Sequence, residues 1–373
     1  AQDRRDVMLD GREHAPLAAS SDMYLNDKGE IIQGASVNGP LSAGIPGVPA
    51  AIEHLALHYG KLPLAKTLAA AIRHATAGFE TDEHYKRMAA FRLDALKASP
   101  RAAEIFLHDN RVPEPGTLIT QPNLAKTLAT IAEQGARGFY RGALASELVA
   151  SVVSSGGIWS MDDLAHYRVV ERKPLLGEYR GMKVVSAAPP SSGGLALIQM
   201  LNMLAGFDLL AQPEASRVHL VTETMRRAYR DRAEHLGDAD FVDVPVDRLL
   251  SNEHAKKLAA TIRLDEATPS GQLRPAVIDV DKATDTTHFS IIDNDGNRVA
   301  ATLSINYPFG SGFVAGSTGV LLNDEMDDFS SKPGVPNVYG LIGAEANAIE
   351  PGKRMLSSMT PTFLETEDRL AIL

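Results

Sequence analysis

The sequence predicts an α+β fold. Segments with helical periodicity fill the chain from about Ala50 onward, and segments with strand character gather beyond Thr286. Helices first and strands later argue for separate layers rather than alternating βαβ units. Size and composition agree: 373 residues, 44% apolar and 23% charged, suit one large domain or two ordinary ones.

Residues 1–50 read as short strands and loops, with glycine and proline gathered in "NGPLSAGIPGVP". From Ala50 to Ser155 the pattern is helical. "LPLAKTLAAAIRHATAGF" sets Leu64, Leu68, Ile72 and Ala75 on one face and stops at Gly78. "QPNLAKTLATIAEQGARGF" repeats the pattern with Leu124, Leu128 and Ile131, and Pro122 suits a first helical turn. "YRGMKVVSAAPPSSGGLALIQMLNML" predicts a strand, a turn and a helix from about Gly194. "ASRVHLVTETMRRAYRDRAEHLG" predicts a helix with Val218, Val221, Met225 and Tyr229 at helical spacing. "THFSIIDNDGNRVAATLSIN" reads as a hairpin around an Asp-Gly turn, and "SMTPTFLETEDRLAIL" as another whose second strand is cut off by the chain end.

Composition removes several function classes. The net charge is −10 with no basic block beyond the pairs Arg4-Arg5 and Arg226-Arg227, which argues against nucleic acid as a partner. The chain has no cysteine, so disulfides, Cys-ligated zinc and thiol chemistry are excluded. No apolar run is long enough for a membrane-spanning helix. "AQDRRDVMLD" has neither a signal-peptide core nor a starting Met, and reads as the beginning of a mature or partial chain. No cofactor or metal is called for.

Four local patterns carry chemistry. Thr286-Thr287 opens the first hairpin. Alone the pair reads as strand propensity. As a chain end, Thr286 would gain an α-amine of pKa near ~8, a base within reach of its own hydroxyl. In "TLSIN", Ser304 and Asn306 share a strand face by alternation and can fall alongside Thr286, although taken alone they read first as an exposed polar face. "GVLLNDEMDDFS", residues 319–330, runs from an apolar strand end into Asn323, Asp324, Glu325, Asp327 and Asp328. Such a cluster suits calcium, a substrate ammonium or plain solvent, and the lack of EF-hand spacing discounts calcium. In "PGKRMLSSMTPT", Ser357-Ser358 offer hydroxyls and backbone N–H groups to a carboxylate, or simply make a turn. His288 shares the face of Thr286 but is read as a residue that packs or supports its neighbours, and is left out of the catalytic set.

In this order, "LDGREHAP", "PPSSGG", "AYRDRAEHLGDADF", "TTHFSIID", "GSTGVLLNDEMDDFSSKPGVPNVYGL" and "PGKRMLSSMTPT" closely resemble the γ-glutamyltranspeptidase (glutathione hydrolase) family over nearly the whole chain. The resemblance implies an N-terminal-nucleophile hydrolase with an αββα sandwich. It implies self-cleavage at Asp285–Thr286, so that residues 1–285 are a large-subunit portion and 286–373 a small-subunit portion of one domain, with both subunits forming a heterodimer. Thr286 is then the nucleophile. Ser304 stands where the family usually has threonine, in contact with the nucleophile. Arg12, Ser357 and Ser358 would bind the α-carboxylate of a γ-glutamyl group, and Asn306, Glu325 and Asp328 its α-ammonium. Tyr339 would belong to the lid loop of some bacterial members. The implied substrates are glutathione, other γ-glutamyl compounds and acceptor amino acids or peptides, and the implied location is the periplasm or outside the cell.

Met355 replaces the proline usual before "LSSM", which predicts a looser serine turn. The resemblance also implies that the chain covers the middle of the family pattern and, made alone, lacks the Gly-Gly element that supplies oxyanion donors. Alternatives on the same scaffold are a glutaryl-type cephalosporin acylase and a poly-γ-glutamate hydrolase. An intact Glu325 and Asp328 speak against the first, and the stretch around Tyr339 against the second. A non-catalytic γ-glutamyl binder would need the nucleophile lost, and Thr286 is present.

Overall fold

The structure is a computed structural model that describes residues 5–273, 286–367 and 369–373. The expected cleavage site therefore falls at an edge of the described chain: Thr286 lies within it, and Asp285 with the tail before it lies outside.

Helices dominate between Val48 and His235, as the periodicity predicts. The helix Leu64–Ala77 turns Leu64 and Leu68 inward, and Gly78 ends it at φ 88°. It packs against the helix Pro122–Gln134, whose Ile131 is buried. Both border the largest apolar cluster, built on Ile45, Phe139, Leu148, Trp159, Leu164 and Phe313. Each such side chain contributes roughly 1.5–3 kcal/mol by leaving water. Trp159 meets its polar obligation there by donating Nε1–H to the Ala43 carbonyl at 2.9 Å.

The strands in chain order are β1 (Met8–Asp10), β2 (Phe79–Glu80), β3 (Leu118–Ile119), β4 (Val170–Arg172), β5 (Leu175–Tyr179), β6 (Met182–Ser186), β7 (Thr287–Ile292), β8 (Arg298–Leu303), β9 (Thr362–Glu365) and β10 (Leu370–Ile372). The widest sheet among the described residues runs β10-β9-β6-β5, antiparallel throughout. It draws strands from both halves of the chain, so the expected division into early helices and late strands holds only in part. The helix Gly193–Leu204 covers this sheet. Its glycines are required by close approach: a Cβ on Gly193 would lie 2.5 Å from the Met359 carbonyl oxygen, and one on Gly194 2.2 Å from that of Ala187. "PPSSGG" thus brings a helix start flush against the serine turn.

Hairpin β7–β8 forms as predicted. Gly296 takes φ 80°, and the Asp293 carboxylate accepts from the backbone N–H of Asp295 and Asn297. Arg298 at its base pairs with Asp6 at 2.8 Å and Glu365 at 3.1 Å and lies over the Phe363 ring, joining the hairpin to the sheet.

One expectation is overturned. The helix Glu214–His235 forms, but Val218, Val221 and Met225 are exposed. Its buried face carries Glu223, Arg227, Asp231 and Arg232. Glu223 and Arg227 form an ion pair of 2.5 Å inside the protein. Leu220, Ala228 and Ala233 are buried beside them, so this helix docks through a mixed apolar and charged face.

Candidate active site

The acidic segment is no solvated loop. Asn323, Asp324, Glu325 and Asp327 are all buried, and Glu325–Asp328 form one turn of 3₁₀ helix. Asn323 pins it by exchanging both side-chain bonds with Gly44, at 2.9 and 3.0 Å, while its oxygen also accepts from the Glu325 N–H. Asp327 points away from the pocket and accepts from the Ser36 hydroxyl at 2.6 Å and the Val338 N–H at 3.1 Å. Asn347 closes the frame: its Nδ2 donates to the Asp328 carbonyl at 2.7 Å, and its oxygen accepts from the Leu356 N–H at 3.0 Å.

These bonds leave Glu325 and Asp328 facing Arg12. Arg12 follows β1, where the Asp10 carboxylate accepts from its N–H and the Tyr167 hydroxyl donates to its carbonyl. Its guanidinium donates to Glu325 Oε2 at 2.5 Å and Asp328 Oδ2 at 2.6 Å, with longer bonds to the carbonyls of Met355 and Leu356. Burial opposes the charge on Arg12, but Glu325, Asp328 and Glu13 outweigh it and hold the guanidinium protonated. Burial also pushes the Glu325 carboxyl up, against the pull of Arg12. Glu325 keeps a buried oxygen, Oε1, without a hydrogen-bond partner among the described residues, as does Asp324 at Oδ2. Unfilled acceptors beside a compact cluster of carboxylates suit an ammonium, which carries three donors.

The serine turn lies on the other side of Arg12. Ser357 is buried and Ser358 exposed. The turn is fixed by backbone bonds from Ser357 N to Pro190 O at 2.9 Å and from Ser192 N to Ser357 O at 2.8 Å. The Ser357 hydroxyl donates to that of Ser191 at 3.2 Å. Met355 is fully buried beside Tyr24 and Phe329. Next to it, the "PPSS" backbone supplies the bonds that hold the serine turn.

Thr286 sits at the open end of the hairpin and is exposed. Thr287 pairs with Leu303, and continuing that antiparallel register one step places Thr286 opposite Ser304. The alternation expected for Ser304 and Asn306 does not extend so far. β8 ends at Leu303, and Asn306 has φ 73°, a turn conformation in which its N–H donates to the Ser304 hydroxyl at 3.0 Å. Asn306 then donates Nδ2–H to the Asp324 carbonyl at 3.1 Å, and Tyr307 N–H donates to Asp324 Oδ1 at 2.9 Å. The strand return is thereby tied to the acidic turn. Tyr339 is half-buried and packs edge-on against Tyr307, with ring centroids 5.2 Å apart. His288 is exposed and its ring meets the hydroxyls of Thr302, at 2.8 Å, and Ser290, so it does not pack in the core.

The structure thus brings Arg12, Glu325 and Asp328 into direct contact and sets the serine turn and the hairpin end around them. Sequence reasoning named Asn323 in the acidic run without giving it a role, and missed Asn347, Ser192 and Tyr307. Ser192 lies within "PPSSGG", so its motif was visible, while Asn347 stands in no motif. Among the described residues one trio, Asp231, Glu234 and His235, brings potential metal-ligand atoms within 4.8 Å of one another. Asp231 is already held by Gln199, His254 and Arg230, so this trio lacks a ready ligand.

A hairpin opening on an exposed threonine, beside a buried pocket of opposed charges, belongs to an N-terminal-nucleophile hydrolase fold, and the comparisons agree. The crystal structure of Helicobacter pylori γ-glutamyltranspeptidase superposes with a TM-score of 0.70 at 39% identity, covering 73% of this chain and 78% of that one. That of a cephalosporin acylase from Bacillus halodurans gives a TM-score of 0.79 at 27% identity, covering 97% and 64%. The γ-glutamyltranspeptidase family model matches residues 1–373, and the chain belongs to that family. It is 43% identical over 370 residues to a glutathione hydrolase proenzyme from Pseudomonas sp. (strain A14), covering 98% of this chain and 64% of that protein. The chain thus spans less than two thirds of that relative's length.

Proposed function

We propose that the whole protein is a self-processing γ-glutamyltransferase and glutathione hydrolase. The observation that carries this reading is the Arg12–Glu325–Asp328 cluster, a dry pocket with both signs of charge beside the end of the Thr286 hairpin. An amino-acid head group carries both signs too. Its ammonium would replace the guanidinium between Glu325 and Asp328, with Asn306 alongside. Its carboxylate would take the released fork of Arg12 and the hydroxyls of Ser357 and Ser358. The pocket is thus neutralised internally until a substrate exchanges the ion pairs.

Cleavage between Asp285 and Thr286 would free the Thr286 α-amine and divide the precursor into two subunits, 1–285 contributing to the large and 286–373 to the small. The amine takes the Thr286 hydroxyl proton as Oγ attacks the γ-amide carbonyl, with Ser304 across the hairpin steadying the nucleophile. The new C–O bond is a γ-glutamyl ester, and the C–N bond breaks as the proton passes to the leaving amine. From glutathione that product is cysteinylglycine. Water or an acceptor amino acid or peptide then takes the glutamyl group and restores the hydroxyl. Tyr339 would cover the bound head group. Related bacterial enzymes are mostly periplasmic or secreted, and the same location is proposed here; no helix among the described residues is long and apolar enough to cross a membrane.

A second reading, acylase activity on glutaryl amides, is favoured by the acylase neighbour. Glutaryl groups have no ammonium, which leaves Glu325 and Asp328 unused. Turnover of γ-glutamyl anilide against glutaryl anilide by the full-length protein decides between them. Mass spectrometry should find a glutamyl adduct on Thr286, and a preference for the glutaryl donor would overturn the first reading.

A further inference from the structure

The last turn of the helix Glu214–His235 holds a buried guanidinium that none of the roles above uses. Arg232 is 5% exposed. Its Nε donates to the Ser192 hydroxyl at 3.0 Å and its Nη2 to the Ser358 hydroxyl at 3.3 Å. Among the described residues no carboxylate forms an ion pair with it. The nearby Asp328 is engaged by Arg12 at 2.6 Å. A buried cation without a counter-ion is expensive unless something repays the lost hydration. Burial indeed pushes the Arg232 pKa down, with only the longer-range pull of Asp328 and Tyr229 opposing it.

The two hydroxyls it touches belong to the serine turn. Ser192 accepts from Arg232 and donates onward to the Ser357 carbonyl at 2.7 Å, so its single proton is committed. Its 3.5 Å approach to Ser358 Oγ is the weaker alternative. Ser358 accepts from the guanidinium, which turns its own proton away from Arg232. Ser358 is exposed, so that proton is free for an anion arriving from solvent.

We propose that Arg232 is a positioning and specificity residue of the anion pole. Through Ser192 and Ser358 it holds the Ser358 hydroxyl as a donor toward the substrate α-carboxylate, and it sets a second positive charge behind that hydroxyl. The inference rests on the reading that this pocket takes an α-carboxylate.

The test uses the full-length processed protein and two donors, γ-glutamyl anilide and 4-aminobutyryl anilide, which differ only in the α-carboxylate. Arg232→Gln should lower the kcat/KM ratio between them about 10- to 100-fold, the range for hydrogen bonds to charged groups, mainly through KM for the γ-glutamyl donor. Arg232→Lys should recover part of the ratio, and adding Ser358→Ala to Arg232→Gln should lower it little further. A merely structural role would depress both donors equally and leave the ratio unchanged, which overturns the proposal. Should Arg232→Gln fail to fold, Arg232→Lys and Ser192→Ala are read in the same way, and an unchanged ratio in both overturns it. Variants that fold without turnover are read by the protection that L-glutamate, but not 4-aminobutyrate, gives against heat unfolding; full protection overturns the proposal and its loss supports it. If the parent itself does not distinguish the two donors, the reading of the pocket fails. If the parent distinguishes them and Arg232→Gln does so equally, only the role of Arg232 fails.

Discussion

Every residue of strand β7, from Thr287 to Ile292, is exposed in this chain, and the hairpin is held by its ladder, one Asp-Gly turn and the Arg298 ion pairs to Asp6 and Glu365. The pocket beside it is the reverse. Arg12 and Glu325, 313 positions apart in sequence, meet at 2.5 Å with under a tenth of either side chain exposed. The hairpin's ladder is local, whereas the pocket is non-local and its charges depend on one another. The difference separates two tasks. The strand of the proposed nucleophile needs a fixed register, which backbone bonds supply. The proposed head-group recognition needs low dielectric and oriented charge, which only packing from distant segments supplies.

The sharpest way to break this contrast is at the hairpin end. Thr286→Ala changes an exposed side chain and should leave folding intact, yet the full-length protein is expected to remain one uncut band. Activity should fall by at least about 10³-fold, as for loss of other nucleophiles. Two bands of normal size on a denaturing gel would remove Thr286 from both roles.

Next in size is the pocket. Asp328→Ala leaves a substrate ammonium short of a partner and should weaken γ-glutamyl donors by about 3–5 kcal/mol while slowing self-cleavage far less. Kinetics on glutamyl and glutaryl donors check this, since only the glutamyl donor carries the ammonium. Equal losses on both would detach Asp328 from ammonium binding.

A pH effect sharpens the contrast further. Burial pushes the Asp327 carboxyl up to about 6, against the Ser36 and Val338 bonds that favour its charge. A raised folded-state value means that stability is fully present below the ordinary carboxyl range near ~4 and is lost as pH rises through about 6. Denaturant titrations between these limits should show a decline of up to about 3 kcal/mol, and Asp327→Asn should flatten it. A slope that persists in the variant would assign the effect to another group.

The smallest change is expected at Asn347, which joins the acidic turn to the serine turn. Asn347→Ala strands one buried carbonyl and one N–H, and should cost about 2 kcal/mol of stability and raise donor KM severalfold. Thermal unfolding with donor titration reads both. A change in stability alone would make Asn347 a scaffold residue without influence on the pocket.

Much of this was legible beforehand, and the failures have physical causes. The hairpin, the helix Leu64–Ala77 and the strand–turn–helix around "PPSSGG" were readable because ladder alternation, helical period and turn chemistry are short-range. The helix Glu214–His235 was located correctly, but Val218, Val221 and Met225 of its spaced apolar set are exposed, while Leu220 and Ala228 are buried together with four charged residues. Hydrophobic periodicity assumes that docking is apolar, and here Glu223 and Arg227 neutralise each other inside. Asn306 escaped the strand rule because the ladder stops at Leu303 and the chain turns at positive φ.

By itself the sequence determined which residue types exist for chemistry: a threonine at a strand start, an arginine after β1, a carboxylate run and a serine pair. It also determined local geometry, since Asp293, Gly296 and the helix stop at Gly78 act within a few bonds of their neighbours. Tertiary structure alone decided that most of the carboxylate run would be buried, that Arg12 would stand between Glu325 and Asp328, and that Arg232 would lie behind Ser358 with no carboxylate ion-paired to it among the described residues. The physical reason is desolvation: a charge changes its meaning when water is excluded, and exclusion is a property of the assembled packing that no stretch of sequence carries.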